Sequence, residues 1–177
     1  MRLNLGCGRD VRPDHVNVDR VPLPGISAVV DLEQPLPFRT ASFDEILTVH
    51  VLEHVDRFLP LMEELHRVLR PGGILRIIVP HLSFYGSYTD PTHRRFFGYR
   101  SFDYFTEEGD YNFYSRARFR IRDRRLVFFW ANSAQRQVPG RLLKRVINSW
   151  PRFYERFACW WLPVNEVRFE LEAVPSA

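Results

Sequence analysis

Short apolar segments that end at a glycine or a carboxylate recur through the first half of the chain. Leu3 and Leu5 mark the first of them, which runs into Gly6, and the next two each end at an aspartate. Apolar runs of this length, bounded by turn residues, predict β-strands, and a run that is apolar throughout is typical of a parallel sheet buried on both faces. The predicted strands are 2–5, 16–19, 27–31, 43–49 and 74–79.

A helix is predicted over residues 60–70. Leu61, Leu65 and Val68 recur at helical spacing and form one apolar stripe, and the following Pro71-Gly72-Gly73 predicts the end of the helix. The alternation of strand, helix and strand indicates an α/β fold with a parallel sheet.

The first connection between strands is too short for a helix. Seven residues, including Pro13, separate Gly8 from Val16. A parallel crossover usually needs a dozen or more residues, so we expect this one to be reduced to a loop or a single turn.

The second half of the chain departs from the strand-helix rhythm. Residues 81–114 are rich in aromatic residues, so we expect an inserted, ordered cover with a short helix near 101–105. Arginine alternates with apolar residues from 115 to 130, which predicts a strand with one arginine face and a turn at Asp123-Arg124. Helical spacing returns at 139–162, with a break at Pro151, and a last strand is expected at 167–174.

Composition places these elements in a single domain over residues 1–177. No apolar run reaches the roughly 20 residues that span a bilayer, and the first strand starts too early to leave room for a signal peptide. Cys7 and Cys159 have no disulfide or metal-site spacing. We therefore expect a cytoplasmic protein.

The Gly6-Cys7-Gly8 turn follows the first strand, where α/β proteins bind nucleotide-like ligands. Glycine there permits a positive φ and a close approach of a ligand. A nicotinamide dehydrogenase is disfavoured because a third glycine is missing, Asp19 comes too early, and no helix follows to hold a pyrophosphate.

Four motifs follow one another in the first half of the chain: Leu3-Asn4-Leu5-Gly6-Cys7-Gly8, Phe43-Asp44-Glu45-Ile46-Leu47, Leu52-Glu53-His54-Val55 and Leu69-Arg70-Pro71-Gly72-Gly73. Together they closely resemble the class I S-adenosylmethionine-dependent methyltransferases, and in particular a compact branch, similar to methyltransferase type 11, that lacks a full first helix. The resemblance implies a Rossmann-like, seven-stranded, mostly parallel sheet with an antiparallel last strand, in an α/β/α arrangement with an abbreviated first crossover. It is dense over residues 2–80 and thin afterwards.

The resemblance also implies roles in binding S-adenosyl-L-methionine. Asp19 would accept hydrogen bonds from the ribose, Asp31 and Leu32 would meet the adenine, and the first turn would pass behind the amino-acid part. Asn4 stands where family members often carry an acid, so it brings no charge to the cofactor's ammonium. The implied cofactor-binding residues are Asn4, Gly6, Cys7, Gly8, Asp19, Asp31, Leu32 and His50.

Methyl transfer to oxygen or nitrogen can use a general base, and histidine has a suitable pKa. His81 is the first candidate, followed by His50 and His54. Asp90, His93 and Arg94 belong to a stretch that resembles a segment of the compact branch. The resemblance implies that this stretch covers the substrate side and that these three residues bind the substrate. The spacing of His81, Asp90 and His93 matches no compact metal site, so no metal is predicted.

The predicted function is methyl transfer to a small molecule or a glycan or lipid-linked intermediate. One alternative is an RNA methyltransferase that uses the arginine-rich strand 116–125, although the net charge is only +4 and no RNA-binding module is recognised. Another is a non-catalytic, cofactor-binding scaffold. The aromatic, basic segment 139–162 predicts either a core helix or contact with a membrane surface. The oligomeric state is left open.

Overall fold

The computed structural model describes residues 1–128 and 137–175, with side chains of the second range from residue 142 onward. The described residues form seven strands and four α-helices. The strands are β1 (Arg2–Leu5), β2 (Val16–Asp19), β3 (Ala28–Val29), β4 (Phe43–Val49), β5 (Leu69–Pro80), β6 (Phe119–Val127) and β7 (Glu166–Ala173). The helices are α1 (Phe58–Val68), α2 (Gly86–Thr89), α3 (Gln137–Ser149) and α4 (Pro151–Phe157). Short 3₁₀ turns lie at Leu52–His54, Asp103–Phe105 and Asn112–Tyr114.

One mixed sheet runs in the order β3-β2-β1-β4-β5-β7-β6. The five strands from β3 to β5 are parallel, and β7 runs antiparallel to both β5 and β6. The carboxyl ends of β1, β2, β4 and β5 therefore share one edge with the start of β7. This arrangement confirms the predicted Rossmann-like α/β sheet with an antiparallel last strand.

Two asparagines hold the abbreviated first crossover in place of a helix. Asn4 and Asn17 are buried on neighbouring strands, and their side chains share a hydrogen bond of 3.0 Å. Asn4 Nδ2 also donates to the carbonyl of Asp10, while Asn17 bonds the backbone of Arg12 and His15. The loop backbone is thus satisfied by side chains, which explains how β1 and β2 pair in parallel across a connection of ten residues.

The segment boundaries around α1 differ from the prediction. The helix ends at Val68, and β5 begins at the next residue, so it includes Pro71-Gly72-Gly73, which the sequence predicted as the end of the helix. Leu69 pairs with Phe43 of β4, and the register then shifts before Glu45. The next register pair joins Glu45 to Ile74, so residues 70–73, whose local preference is a turn, form an irregularity between two paired parts of the strand.

The arginine-rich strand is continuous, so the predicted turn at Asp123-Arg124 is wrong. β6 pairs with β7 on both sides of this site, and a register shift between Ile121 and Asp123 replaces the turn. An irregularity of this kind leaves a residue unpaired and increases the local twist, while pairing continues on both sides of it. The predicted strand residues 129–130 lie outside the described residues.

The core is built from the apolar face of α1 and the strand residues of the sheet. Leu61, Met62, Leu65 and Val68 of α1 are all buried. The cover segment 81–114 adds an aromatic cluster to this core. Phe97, Phe102 and Phe105 are at most 2% exposed, and all three rings meet Phe58 of α1.

The predicted helical region 139–162 contains two helices with the expected break at Trp150 and Pro151, but α4 ends at Phe157, so the helix predicted over residues 158–162 is wrong. Ile147 and Tyr154 are buried, whereas many of the apolar side chains on these helices are exposed. No α-helix among the described residues combines the length and apolar character needed to span a membrane.

Candidate cofactor cleft

The turn after β1 has the backbone conformation that glycine favours. Gly6 and Gly8 adopt φ values of +64° and +51°. A Cβ on Gly6 would lie 2.5 Å from Cγ2 of Val51, whereas a Cβ on Gly8 would meet no protein atom within 4 Å. Gly6 therefore permits close packing against the segment after β4, and Gly8 faces open space at the sheet edge.

Asp19 lies at the end of β2, beside this turn. Its Oδ2 accepts the backbone N–H of Gly8 at 2.8 Å, and its Oδ1 accepts that of Val21 at 3.0 Å. The carboxylate is therefore fixed in orientation by two backbone donors. Each oxygen keeps a further lone pair that could accept a hydrogen bond from a ligand hydroxyl.

Asp31 and Leu32 follow β3 along the same edge. Asp31 is exposed, and its Oδ1 accepts the N–H of Glu33 at 3.1 Å, which forms a local turn. Leu32 is half-buried and packs against the core. The structure thus presents one free carboxylate edge and one apolar surface at the position that the resemblance assigns to adenine.

Two of the implied cofactor residues have side chains that face inward. Asn4 is 2% exposed, and its amide is engaged by the crossover loop. Cys7 is 6% exposed, and burial raises the pKa of its thiol, as does the nearby charge of Asp19. The Asn4 side chain therefore supports the turn from behind, and its contact with the cofactor stays a prediction.

His50 lies directly after β4 between two buried carboxylates. Its Nε2 is 3.0 Å from Oε1 of Glu166, and its Nδ1 is 3.4 Å from Oε1 of Glu53. The hydrogen bond with Glu166, followed by that with Glu53, raises the pKa of His50 to about 9. Its backbone has φ +54°, an uncommon conformation for a residue other than glycine.

Glu166 is held as an anion by its neighbours. Burial alone would raise its pKa, but hydrogen bonds from His50 and Arg168 outweigh burial and lower it. His50 is therefore an imidazolium near neutral pH and has no lone pair with which to take a proton. This protonation state argues against the predicted role of His50 as a general base and favours a fixed positive charge at the cleft edge.

His81 is fully buried, which places its ring away from the cleft surface. Its Nδ1 accepts the backbone N–H of Ser83 at 3.1 Å, so its Nε2 carries the proton that is donated to Glu155 at 3.1 Å. Both ring nitrogens are thus engaged inside the protein. The geometry is that of a core histidine, and it disfavours His81 as the first choice of base.

His54 and His93 lie together, with ring centroids 4.7 Å apart. His54 comes from the 3₁₀ turn after β4, and His93 comes from the cover segment. Nδ1 of His54 is 2.8 Å from Oγ1 of Thr92, and Nδ1 of His93 is 2.9 Å from the carbonyl oxygen of Ser87. His54 is therefore the one predicted base with an uncommitted ring nitrogen among the described contacts.

The other two residues predicted to bind the substrate, Asp90 and Arg94, form hydrogen bonds and ion pairs with neighbouring protein residues. Asp90 accepts hydrogen bonds from the N–H and hydroxyl of Thr92. Arg94 forms an exposed ion pair with Asp56, and its backbone N–H donates to the carbonyl of Glu53. The stretch from Asp90 to Arg94 therefore lies against the segment after β4, at the same sheet edge as the glycine turn.

The sequence assigned no role to three glutamates near this edge, of which Glu53 and Glu166 are buried and Glu155 is half-buried. Glu53 belongs to the Leu-Glu-His motif, which was a usable signal, and Glu166 opens β7 next to an apolar run. Glu155 lies on α4 and contacts His81 from 74 positions away. The sequence offered no local signal for that last contact.

Three features of this sheet edge are compatible with S-adenosylmethionine. Gly8 leaves open space where a side chain would otherwise project, Asp19 offers a fixed pair of acceptor oxygens, and Asp31 and Leu32 extend the edge. None of these groups requires a metal or a pyrophosphate partner for its geometry.

Comparison with known proteins agrees with the fold and the turn. Residues 3–77 match a family model described as a methyltransferase domain. A stretch of 51 residues is 45% identical to the probable phthiotriol/phenolphthiotriol dimycocerosates methyltransferase 2 of Mycobacterium ulcerans. That stretch is 29% of this chain and one fifth (20%) of the relative's length.

Solved structures share the sheet at low sequence identity. A S-adenosylmethionine-dependent methyltransferase from Archaeoglobus fulgidus aligns with a TM-score of 0.58 and 16% identity over 97% of this chain and 85% of that chain. Phosphoethanolamine N-methyltransferase 2 of Haemonchus contortus, in complex with S-adenosyl-L-methionine, aligns with a TM-score of 0.58 and 13% identity over 98% of this chain and 48% of that chain.

These likenesses concern the fold, while the family model covers the segment that carries the glycine turn and the two strand-end aspartates. The sheet order, the turn geometry and the match over residues 3–77 agree with one another. Together they show the fold of the class I S-adenosylmethionine-dependent methyltransferases, and residues 3–77 are similar to the methyltransferase-domain family.

Proposed function

We propose that the protein transfers the methyl group of S-adenosyl-L-methionine to an oxygen or nitrogen atom of a small-molecule, glycan or lipid-linked acceptor. The observation that carries the proposal is the pairing of Gly8 with Asp19 at the open sheet edge. Gly8 leaves room for the ligand, and Asp19 presents oriented acceptors for its ribose hydroxyls. Asp31 and Leu32 would receive the adenine.

The bound cofactor supplies a sulfonium methyl group that is already activated for transfer. The protein's main task is then to position the acceptor, which can supply a large part of the rate. His50, as a cation held by Glu53 and Glu166, shapes the edge next to the cofactor's methionine end. The general-base role of His54 stays a prediction.

Calorimetric titration with S-adenosylhomocysteine and, separately, NAD tests cofactor binding. Wild type should bind the first and not the second. Asp19→Ala should bind at least ~10-fold more weakly, because a hydrogen bond to a charged group is worth about 1.5–3 kcal/mol. Asp14→Ala removes an exposed acid of the crossover loop and is the matched control.

Asp19→Asn separates ligand contact from turn structure, since it keeps an acceptor oxygen for one backbone donor. A folded wild-type protein that binds neither ligand would contradict the proposal and favour the scaffold alternative. Equal binding by wild type and Asp19→Ala would contradict the assignment of the ribose site.

A set of exposed side chains on α3 and α4 and on the residues that follow each helix, here called the surface row, supports an acceptor that is presented at a membrane. The apolar members of this row are more than half exposed and are interspersed with Lys144, Arg145, Arg152 and Arg156. Exposed apolar rows of this size mark interaction surfaces, and basic residues beside them match an anionic lipid surface. The apolar members are Leu142, Val146, Trp150, Phe153, Phe157, Trp160 and Trp161.

The curated relative is named for phthiotriol and phenolphthiotriol dimycocerosates, which is in keeping with a lipid-linked acceptor. Co-sedimentation with vesicles of phosphatidylcholine, with and without phosphatidylglycerol, tests the membrane part. Binding should require the anionic lipid and be lost in Trp150→Ala/Trp161→Ala, while Tyr111→Ala, an exposed aromatic change in the cover, should bind normally. Failure to sediment in both vesicle types would overturn the membrane part and leave the cofactor proposal intact.

The RNA alternative has less support from the arginine strand. Arg120 and Arg122 pair with Glu172 of β7, and Arg125 pairs with Asp123. These ion pairs neutralise much of the charge that a phosphate backbone would need. No observation in the described structure favours RNA over a small acceptor.

A further inference from the structure

Three metal-ligating side chains meet where the cover segment lies against the end of β4. Glu53 and His54 come from the 3₁₀ turn Leu52–His54, and His93 comes from the cover. One carboxylate oxygen and one ring nitrogen of each histidine all lie within 4.8 Å of one another. The backbone N–H of Arg94 donates to the carbonyl of Glu53 at 2.7 Å, which fixes the two segments together.

The hydrogen bonds assign the protons of both histidines in their neutral form. The Thr92 hydroxyl donates to Asp90 at 2.6 Å, so its oxygen accepts from Nδ1–H of His54. The Ser87 carbonyl can only accept, so His93 also carries its proton on Nδ1. Each ring therefore keeps a lone pair on Nε2, the atom that a metal would use.

Glu53 supplies an independent observation. Its side chain is 1% exposed, and only one of its two carboxylate oxygens has a charged partner in the described structure. Oε1 lies 3.4 Å from Nδ1 of His50, while Oε2 has no partner there. A buried charged group without its full set of partners is costly, and a bound cation would satisfy it.

The outer contacts match those of protein metal sites. A metal-ligating histidine usually donates its second ring N–H to a carbonyl, a carboxylate or another oxygen. Nδ1–H of His93 donates to the carbonyl of Ser87. Nδ1–H of His54 donates to the hydroxyl oxygen of Thr92, and that hydroxyl donates in turn to Asp90. Oδ2 of Asp90 is also 3.9 Å from Nε2 of His93, which adds a second negative charge.

We propose that Glu53, His54 and His93 form a binding site for a divalent transition metal of the zinc class. Two imidazoles and one carboxylate with an open fourth position are a donor set that zinc accepts. This departs from the sequence prediction of no metal, because the set replaces His81 with residues from the turn after β4. Zinc bonds are about 2.0–2.2 Å long, so binding would draw the three groups closer and clamp the cover to the sheet edge.

Zinc titration of the full chain after chelator treatment tests the site. Calorimetry and elemental analysis of the dialysed protein should give one zinc per chain. His54→Ala and His93→Ala should each lower the affinity by at least ~10-fold, and Thr92→Val should lower it by about 10-fold, as outer contacts do. His15→Ala, which removes a histidine of the first crossover, should bind as wild type.

Glu53→Gln keeps the shape of the side chain and tests the carboxylate without a cavity. Circular dichroism and unfolding curves confirm that each variant is folded before its titration is compared. Wild type that takes up no zinc at micromolar concentration would overturn the proposal. Equal affinity in wild type, His54→Ala and His93→Ala would do the same, because the ion would then be bound elsewhere.

Discussion

Replacing Gly6 by alanine should destabilise the protein through two separate effects. The backbone at Gly6 has φ +64°, which costs an alanine about 1–2 kcal/mol. The new Cβ would also lie 2.5 Å and 2.9 Å from the two methyl carbons of Val51, and overpacking of this kind costs about 1–3 kcal/mol. We therefore expect a loss of about 2–5 kcal/mol in the free energy of unfolding.

Gly8→Ala is the matched control for the backbone effect. Its φ of +51° carries a similar conformational cost, but its Cβ would meet no protein atom within 4 Å. The expected loss is about 1–2 kcal/mol. Because that Cβ would project into the cleft, Gly8→Ala should weaken S-adenosylhomocysteine binding while leaving the protein folded.

Urea unfolding at pH 7 measures both variants, together with Val51→Ala and the double variant Gly6→Ala/Val51→Ala. Removal of the Val51 methyl groups should relieve the clash, so the double variant should be more stable than the sum of the single effects by about 1–2 kcal/mol. Equal losses for Gly6→Ala and Gly8→Ala, or strictly additive effects in the cycle, would refute the argument from close packing.

Three further predictions concern the supports of the cleft. Burial alone would raise the pKa of Glu155, but hydrogen bonds from His81 and from the Tyr99 N–H outweigh burial and lower it. The contribution of Glu155 to the free energy of unfolding is therefore fully present above pH ~4.5 and is lost as the pH falls through the lowered pKa. Glu155→Gln should cost about 1.5–3 kcal/mol at pH 7 and less below pH ~4 in urea unfolding, whereas a pH-independent loss would contradict this account. Asn17→Ala should cost about 2–3 kcal/mol by leaving crossover backbone groups unpaired, and a loss under about 0.5 kcal/mol would show that the loop needs no such support. Phe102→Ala should cost about 3–5 kcal/mol and speed proteolysis within 81–114, and unchanged cleavage would argue against the aromatic cluster as the anchor of the cover.

The parallel strands, the glycine turn after β1 and the aspartates after β2 and β3 could be predicted from sequence, because these signals are local. Alternating or continuous apolar runs report strand burial directly, and Gly6, Gly8, Asp19 and Asp31 occupy the strand ends where a parallel sheet collects them. The absence of a helix between β1 and β2 also followed from the sequence, because the segment between Gly8 and Val16 is too short to hold one. How that loop is held did not follow, because Asn4 and Asn17 become partners only when β1 pairs with β2.

The histidines show what local patterns leave open. His50 and His81 both follow adjacent strands and reach the same edge, as the sequence predicted. Their chemistry was decided by Glu166, 116 positions from His50, and by Glu155, 74 positions from His81. One histidine became a cation at the cleft and the other a buried hydrogen-bonded core residue, because partner and burial depend on how β7 and α4 pack.

The sequence by itself thus determined the sheet, the position of the cofactor turn and the identity of its acids, since strand period and turn chemistry act over a few residues. The tertiary structure decided which histidine is charged, which is buried, and that Glu53, His54 and His93 meet. The physical reason is that protonation and ligand geometry depend on neighbours a few ångströms away in space, and these neighbours come from segments far apart in the chain.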